Sequence, residues 1–589
     1  MNASWLGVSA TICGNLTDSC SVVFRLALLA LLSISIGCTR PERTSNLEVL
    51  EFSVSDLETP SASSSADLSP MDSTMSPVMQ PAPAPAYNIS APDGVTPPDP
   101  VRLSEKPDLS QGPLAYKNSE FTLDLRTSSK PEDVGRPWGA VQGLTMFRGN
   151  PSRTFYGTGP VMPAVPKVLW RYPDRPMCSE SCVGKNDCKQ WCGSGWTGQP
   201  VVYQRADGIT EVIFGAYDRQ VHFVNASNGQ PTRNPFPTGD IIKGSVTIDP
   251  DGFPLLYFGS RDNKYRILAL DRGDAVEVYS LDAYKVRRRL WNDDWDSNGS
   301  IVDDRLFVGG ENSWFYVVKL NRKLESDNRV SVKPEIEVQM PGWTEEMLEM
   351  LHPDKRDTMI SIESSPVVFG KRAYWTNSGG MVVGVDWTRV KNKHAEIVFT
   401  FWAGDDADAT PIMDEKGHLY VAVQKELDNG RGVRASRQRV EEIGQLIKLD
   451  PNNQVNPILW SAQVPSRSEN DDGGIWSTPA LDLKRNAIVV TTHPGDLISY
   501  DRFTGREMWR KKLGHHEWSS PNIIDDHLIV GRCQKTGIEA FKLNEHGTNP
   551  VTQWVTKAPR GCVESTPAIW KGRIYVGSRD GYFYGLSSP

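Results

Sequence analysis

Residues 497–509 read Leu-Ile-Ser-Tyr-Asp-Arg-Phe-Thr-Gly-Arg-Glu-Met-Trp. Leu497 to Tyr500 alternates as a strand does, Asp501 ends it, Thr504-Gly505 reverses the chain, and a second strand runs out on Trp509. This is half of a small antiparallel sheet. The other half lies upstream, as Trp476-Ser-Thr-Pro-Ala-Leu-Asp followed by the apolar run Ala487 to Val490. The unit restarts at Trp518-Ser-Ser-Pro-Asn-Ile-Ile-Asp and again at Glu564-Ser-Thr-Pro-Ala-Ile-Trp. Recurrence at roughly 40 to 50 residues marks a propeller or a solenoid.

Working outward, eight units can be counted. Their inner strands begin near Gly198-Gln-Pro, Gly244-Ser-Val, Gly299-Ser-Ile, Ser364-Ser-Pro, Ala409-Thr-Pro, Ser477-Thr-Pro, Ser519-Ser-Pro and Ser565-Thr-Pro. The last unit has three strands before Pro589, and an unpaired strand, 167–172, precedes the first. An open sheet edge is a liability, so the N-terminal strand is expected to complete the last blade. The fold class that follows is all-β: an eight-bladed β-propeller of four-stranded antiparallel blades over 167–589. Eighteen Trp and 49 Gly in 589 residues suit such a ring, and a net charge of −8 gives no basic footprint for nucleic acid.

Before the ring the chain changes character. Arg25 leads an apolar stretch, Leu26 to Ile36, that ends at Gly37-Cys38. A small residue followed by Cys resembles a bacterial lipoprotein signal, which implies a signal peptide over 1–38 with Cys38 lipidated. An ordinary cleaved signal and an uncleaved anchor remain open, and all three export the ring. Residues 39–115, rich in Ser, Pro, Asp and Ala, read as a disordered tether. Residues 116–166 form a lead-in. Within it Met146-Phe-Arg-Gly-Asn-Pro-Ser-Arg-Thr and Pro166-Lys-Val-Leu-Trp170 resemble the lead-in of bacterial quinoprotein-type (PQQ-repeat) propellers. The resemblance to that superfamily spans 167–589 and takes in both the quinoprotein alcohol dehydrogenases and non-enzymatic, BamB-like outer-membrane lipoproteins.

In a four-stranded blade the start of the inner strand and the turn between strands two and three share a face. Sorted by this rule, the Cys-rich insertion 174–195, the helix-like 343–358, the insertion 426–443 and Ser466 to Gly474 all fall on one face. Binding loops gather where a rigid scaffold lets them grow, so this face is read as the functional one. Cys178, Cys182, Cys188 and Cys192 form C-x3-C-x5-C-x3-C. Export favours disulfides Cys178–Cys192 and Cys182–Cys188, with a four-Cys zinc site as the competitor. A third disulfide, Cys533–Cys562, is expected between neighbouring blades on the same face.

The residues just before the inner strands, Thr197, Lys243, Asn298, Glu363, Asp408, Trp476, Trp518 and Glu564, should surround the channel mouth. Carboxylates with an Asn amide suit Ca²⁺, and Trp476 or Trp518 could stack on a planar cofactor. The dehydrogenase branch of the resemblance would then imply PQQ and Ca²⁺ bound by Asn298, Glu363, Asp408, Trp476, Trp518 and Glu564. Against it, the chain has no adjacent Cys pair and no Cys-x-x-Cys-His haem site. His493, His515 and His516, with Glu517 adjacent, form a candidate transition-metal site. No Gly-rich phosphate loop, His-Glu-x-x-His or Gly-x-Ser-x-Gly elbow is present. The preferred expectation is a lipid-anchored, non-catalytic propeller with no resident cofactor. It would bind a protein or macromolecular partner at the cell envelope, on the periplasmic side of the outer membrane or at the cell surface, in the manner of outer-membrane assembly. The alternatives are a PQQ- and Ca²⁺-dependent dehydrogenase and a carbohydrate or small-ligand binder.

Overall fold

The turn at 501–505 shows why the repeat has its spelling. Asp501 Oδ1 accepts from the backbone N–H groups of Phe503 and Thr504, which closes the reversal. Gly505 takes a φ of 72° and lies flat on Trp460 of the preceding blade, where a Cβ would come within 2.7 Å of the indole. Trp509 repeats the contact forward, its Nε1 donating to the Gly547 carbonyl of the next blade at 2.5 Å. Trp170 and Trp460 do the same, to Ala226 and Arg502. The outer-strand Trp is thus a lock between neighbours.

The computed structural model describes residues 9–12, 20–25, 33–38 and 128–587, apart from 184–186, 197, 355–356, 427–433, 465, 467–471, 515 and 535–536. The chain divides into two units, 1–78 and 79–589. In the first, Ser9–Ile12, Cys20–Arg25 and Ser33–Cys38 pair as a three-stranded antiparallel sheet. The tether assigned to 39–115 lies outside the described residues. Among those described, no helix is long and apolar enough to cross a membrane.

The second unit is the eight-bladed propeller. Its inner strands are Val201–Gln204, Thr247–Ile248, Ser300–Val302, Val367–Phe369, Ile412–Met413, Ala480–Asp482, Asn522–Ile524 and Ala568–Trp570, each opening an antiparallel sheet of short strands. Lys167–Tyr172 pairs with Phe583–Ser587 and so supplies the outer strand of blade 8, closing the ring as expected.

The lead-in does something its sequence did not disclose. Gly143–Leu144 pairs with Val201–Gln204 as a fifth, innermost strand of blade 1. From there the chain runs through the channel and meets every other blade. The Thr145 carbonyl accepts from Ile248 N, that of Pro151 from Val368 N and that of Ser152 from Met413 N, while Thr158 N donates to Ile569 O. Tyr156 Oη accepts from Leu481 N. Arg153 reaches blades 3 and 4, and Arg148 reaches blades 6 and 7. The lead-in is a plug.

Of the insertions assigned to the elaborated face, 174–195, 343–358 and the end of 426–443 carry regular structure, while 427–433 and 467–471 lie outside the described residues. Cys178–Val183 and Asp187–Cys192 form a β-hairpin in which Cys178 opposes Cys192 and Cys182 opposes Cys188, and both pairs are disulfide-bonded. Cys533 and Cys562 form the third disulfide. Helix Glu345–Leu351 lies in the helix-like 343–358, and helix Arg434–Ile443 in the insertion 426–443. The opposite face carries more than short turns: the lead-in enters there, with Ala140 N bonded to Pro250 O and Gly370 N to Ser129 O. A small hairpin, Lys323–Leu324 with Val330–Ser331, also stands on it.

Two outcomes follow from the plug. A chain beginning at residue 167 should fail to give a cooperative unfolding transition, whereas one beginning at 116 should melt cooperatively by circular dichroism. Within the full chain, Arg153→Met should lower stability by roughly 3 kcal/mol or more, because buried carbonyls lose their donors. Arg153→Lys, which keeps charge but not the planar fork, should recover only part of it in urea titrations.

Candidate functional site: the channel mouth

At the mouth the blades are joined by a girdle of backbone-to-side-chain hydrogen bonds. Gln199 N donates to Ser245 Oγ, Asn298 N to Ser365 Oγ, Ser365 N to Thr410 Oγ1, Thr410 N to Thr478 Oγ1 and Thr478 N to Ser520 Oγ, at 2.8–3.2 Å. The girdle sets the register of each blade and corrects one residue. Asn298 occupies the girdle position itself, alongside Ser365 and Thr410, so the mouth residue of blade 3 is Asp296. Asn298 is fully committed. Its Oδ1 accepts from Phe147 N and Arg153 Nη1, and its Nδ2 donates to Ser245 O and Thr247 Oγ1. All four of its amide hydrogen-bonding positions are used on the plug and its neighbours, leaving none for a cation.

The corrected mouth has an acidic half. Lys243 Nζ sits among Asp296 at 2.6 Å, Asp294 at 3.1 Å and Glu311 at 3.2 Å, and Arg261 Nε adds a second contact to Asp294 at 2.9 Å. Burial disfavours the Lys243 ammonium, but the three carboxylates outweigh it and hold the pKa well above its usual range. Glu363 and Asp408 continue this half. Glu363 Oε1 accepts from Ser361 Oγ, and Asp408 Oδ2 from Gln424 Nε2. Burial pushes both carboxyls well above the ordinary carboxylate range; the charge of Asp408 adds to the effect at Glu363, and that of Asp406 at Asp408. Glu564 faces away, 3.5 Å from Arg579 Nε.

The other half is aromatic. Trp476 and Trp518 stack in parallel, 5.0 Å apart at 7°, and Trp196 meets both edge-on, at 6.2 and 4.8 Å. Trp196 was missed from sequence because it stands one residue before Thr197, which lies outside the described residues. Trp518 Nε1 donates to His493 Nδ1 at 3.0 Å. The imidazoles of His493 and His516 are 6.1 Å apart. Among the described residues His493 joins no group of ligand spacing; His516 instead approaches Cys533, Cys562 and Glu564. His515 lies outside the described residues. Glu517, its carboxyl pushed up to about 7 by burial, is held by Arg532 and by the Cys533 N–H.

Between the halves lies a pocket lined by Asp296, Glu363, Asp408, Trp476 and Trp518, with Phe147 of the plug beside them. The space open to the centre of a water molecule is about 10 Å³, room for about one water. A tricyclic quinone exceeds that space, since Trp476 and Trp518 lie on one another and Phe147 lines the channel side.

No protein-family model matches the chain, and no curated protein does. Solved structures similar to it include BamB from Moraxella catarrhalis, at 14% identity over 72% of this chain and 98% of that one, with a TM-score of 0.42. A quinohemoprotein alcohol dehydrogenase from Comamonas testosteroni matches at 11% identity over 76% of this chain and 81% of that one, with a TM-score of 0.49. The computationally designed Ika8 protein matches at 11% over 64% and 93%, with a TM-score of 0.43. Nothing about function follows from likenesses at this level.

The elevated carboxyls have a pH signature. A carboxyl whose folded pKa exceeds its unfolded value stabilises the fold fully below the unfolded pKa, and that contribution is lost as pH rises toward the folded value. Stability should therefore fall as pH climbs above about 4.5. The Glu363→Gln, Asp408→Asn double variant should flatten that fall and match or exceed the parent at pH 8. Urea midpoints at pH 5 and pH 8 check both.

Proposed function

We propose that this is an exported, lipid-anchored, non-catalytic propeller that docks a protein or other macromolecular partner at the cell envelope, on the periplasmic side of the outer membrane or at the cell surface. One observation carries the reading: the channel is filled by the chain's own lead-in, while the stapled hairpin, two helices and a crosslinked loop are gathered on one face. A ring built this way offers a surface rather than a hole.

That surface is rigidly mounted. The hairpin buries Trp191 edge-on to Tyr217 at 5.3 Å, with the Arg579 guanidinium 4.9 Å from its ring, and Ser179 Oγ bonds Tyr217 O. The helix at 345–351 is capped by Thr344 and buries Met347, Leu348 and Leu351. The helix at 434–443 packs Val440 against Gly404, and Arg439 Nε reaches Trp402 O. Loops held at both ends in this way lose little entropy on binding. Lipidation at Cys38 would place the face at a membrane, with 39–115 setting its reach.

Site-specific photo-crosslinking in cells tests the reading. A photoreactive residue at Glu349 or Gln438, both exposed on the elaborated face, should capture a discrete envelope protein, and one at Asp327 on the opposite face should not. Cys38→Ala should release the chain from the membrane fraction and weaken the capture. Equal capture from both faces, or none, defeats the docking reading.

A further inference from the structure

Outside the mouth pocket, one cluster of chemistry-bearing side chains stands at the seam of blades 7 and 8. The ligand atoms of His516, Cys533, Cys562 and Glu564 all lie within 4.8 Å of one another. His516 precedes the inner strand of blade 7 and Cys533 follows its second strand, while Cys562 and Glu564 lead into the inner strand of blade 8. A disulfide meant only as a staple needs two sulfurs. In the hairpin, Cys178–Cys192 belongs to no such group among the described residues and Cys182–Cys188 has only the exposed Glu180 beside it, whereas here an imidazole and a buried carboxylate converge on the same two sulfurs.

We propose that Cys533 and Cys562, when reduced, join His516 and Glu564 to bind one Zn²⁺, so that the seam is either a disulfide or a metal site. Two thiolates, one imidazole nitrogen and one carboxylate oxygen make a four-coordinate set of the kind zinc takes. Tetrahedral bonds of about 2.0–2.3 Å put donors roughly 3.3–3.8 Å apart. Once the disulfide is reduced, the two sulfurs therefore separate by somewhat under about 2 Å from their bonded distance of about 2.0 Å, while the imidazole and carboxylate close by about 1 Å at most.

The surroundings hold the donors in place beforehand. Cys533 N–H is bonded to Glu517 Oε2 at 3.0 Å. The His516 ring lies 4.4 Å from that of Trp518. Arg579 engages Glu564 Oε2, which leaves Oε1 facing Cys562 Sγ at 3.7 Å. The guanidinium also offsets the net negative charge of a site with two thiolates and a carboxylate. His516 and Cys562 are half-buried, so an ion can enter from solvent.

The chemistry balances with a dithiol as reductant. Its two sulfurs close into a disulfide, the Cys533–Cys562 bond breaks, and two electrons and two protons pass to the protein sulfurs. Zinc then displaces both thiol protons to solvent. A mild oxidant of the disulfide class reverses the first step and expels the ion.

The test uses the full chain, reduced with a phosphine that takes oxygen from water and leaves two thiols, with Co²⁺ as the probe. The expected result is a thiolate-to-cobalt charge-transfer band with an intense tetrahedral ligand-field band at one equivalent, both displaced by Zn²⁺. The Cys533→Ser, Cys562→Ser double variant should abolish both bands. His516→Ala and Glu564→Gln keep the cysteines, and each should weaken Co²⁺ by at least about tenfold, since losing a ligand costs no less than losing an outer-shell partner. A band that survives the double serine variant assigns the ion to other cysteines of the chain and overturns the proposal. Unchanged affinity in His516→Ala overturns it as well. So do the absence of any band in a reduced chain that keeps its near-ultraviolet Trp spectrum and the loss of that spectrum on reduction.

Discussion

The inner strand of every blade turns one edge toward the axis, and its carbonyls there must find donors or water. In this ring they find two arginines. Arg148 donates to the carbonyls of Pro521 and Pro479 at 2.6 and 2.8 Å. Arg153 donates to Pro366 O and Asn298 O, both at 2.9 Å, and to Ser300 Oγ at 2.7 Å. Neither has a carboxylate partner among these contacts; carbonyl dipoles from several blades take the counter-ion's place. Burial lowers the two guanidinium pKa values to about 10 and 9, which still leaves both charged at neutral pH. Each backbone sits in the left-handed region, at φ of 56° and 64°. That conformation is uncommon for a residue with a Cβ, and the bonds the side chains make are what hold it.

The ring is therefore fastened twice, at the axis by the lead-in and at the rim by the outer-strand indoles. Lys167–Tyr172 ties the two ends of the ring into one blade, and the residues before it reach across all the others. The proline of the Ser-x-Pro repeat gains a meaning from this. It has no N–H to satisfy, and its carbonyl points inward as an acceptor for the plug. With axis and rim both fixed, loops on the elaborated face can lengthen without loosening the fold.

The blades were legible because their signals are local: Asp501, Gly505 and Trp509 each act within one blade or on its neighbour. Blade 3 shows where this fails. It lacks the Ser-x-Pro spelling, so Gly299-Ser-Ile invites a register two residues late and makes Asn298 the mouth residue in place of Asp296. Only the girdle of bonds from blade to blade reveals the true position. The plug was hidden for a related reason. Met146 to Thr154 has no periodicity, and its partners are as far away as Pro521, at a sequence separation of 373. The hairpin's cysteine pairs were readable because their C-x3-C-x5-C-x3-C spacing sets them opposite one another, whereas the approach of His516 to Cys533 and Cys562 depends on how two blades meet.

The charges at the mouth decide what it can attract. Lys243 and Arg261 supply two positive charges against Asp294, Asp296 and Glu311, so one carboxyl of the three is in excess. Asp294, shared by both cations, stays low; burial raises Asp296 and Glu311, which divide what is left of the ammonium. Glu363 and Asp408 have no cation of their own within ion-pairing distance among the described residues, and burial disfavours their charged forms. The acidic half is a polar lining with an ammonium already at its centre where a metal ion would otherwise stand. The seam of blades 7 and 8 differs in this respect: Arg579 engages Glu564 through Oε2, and among the described residues no lysine pairs with Glu564.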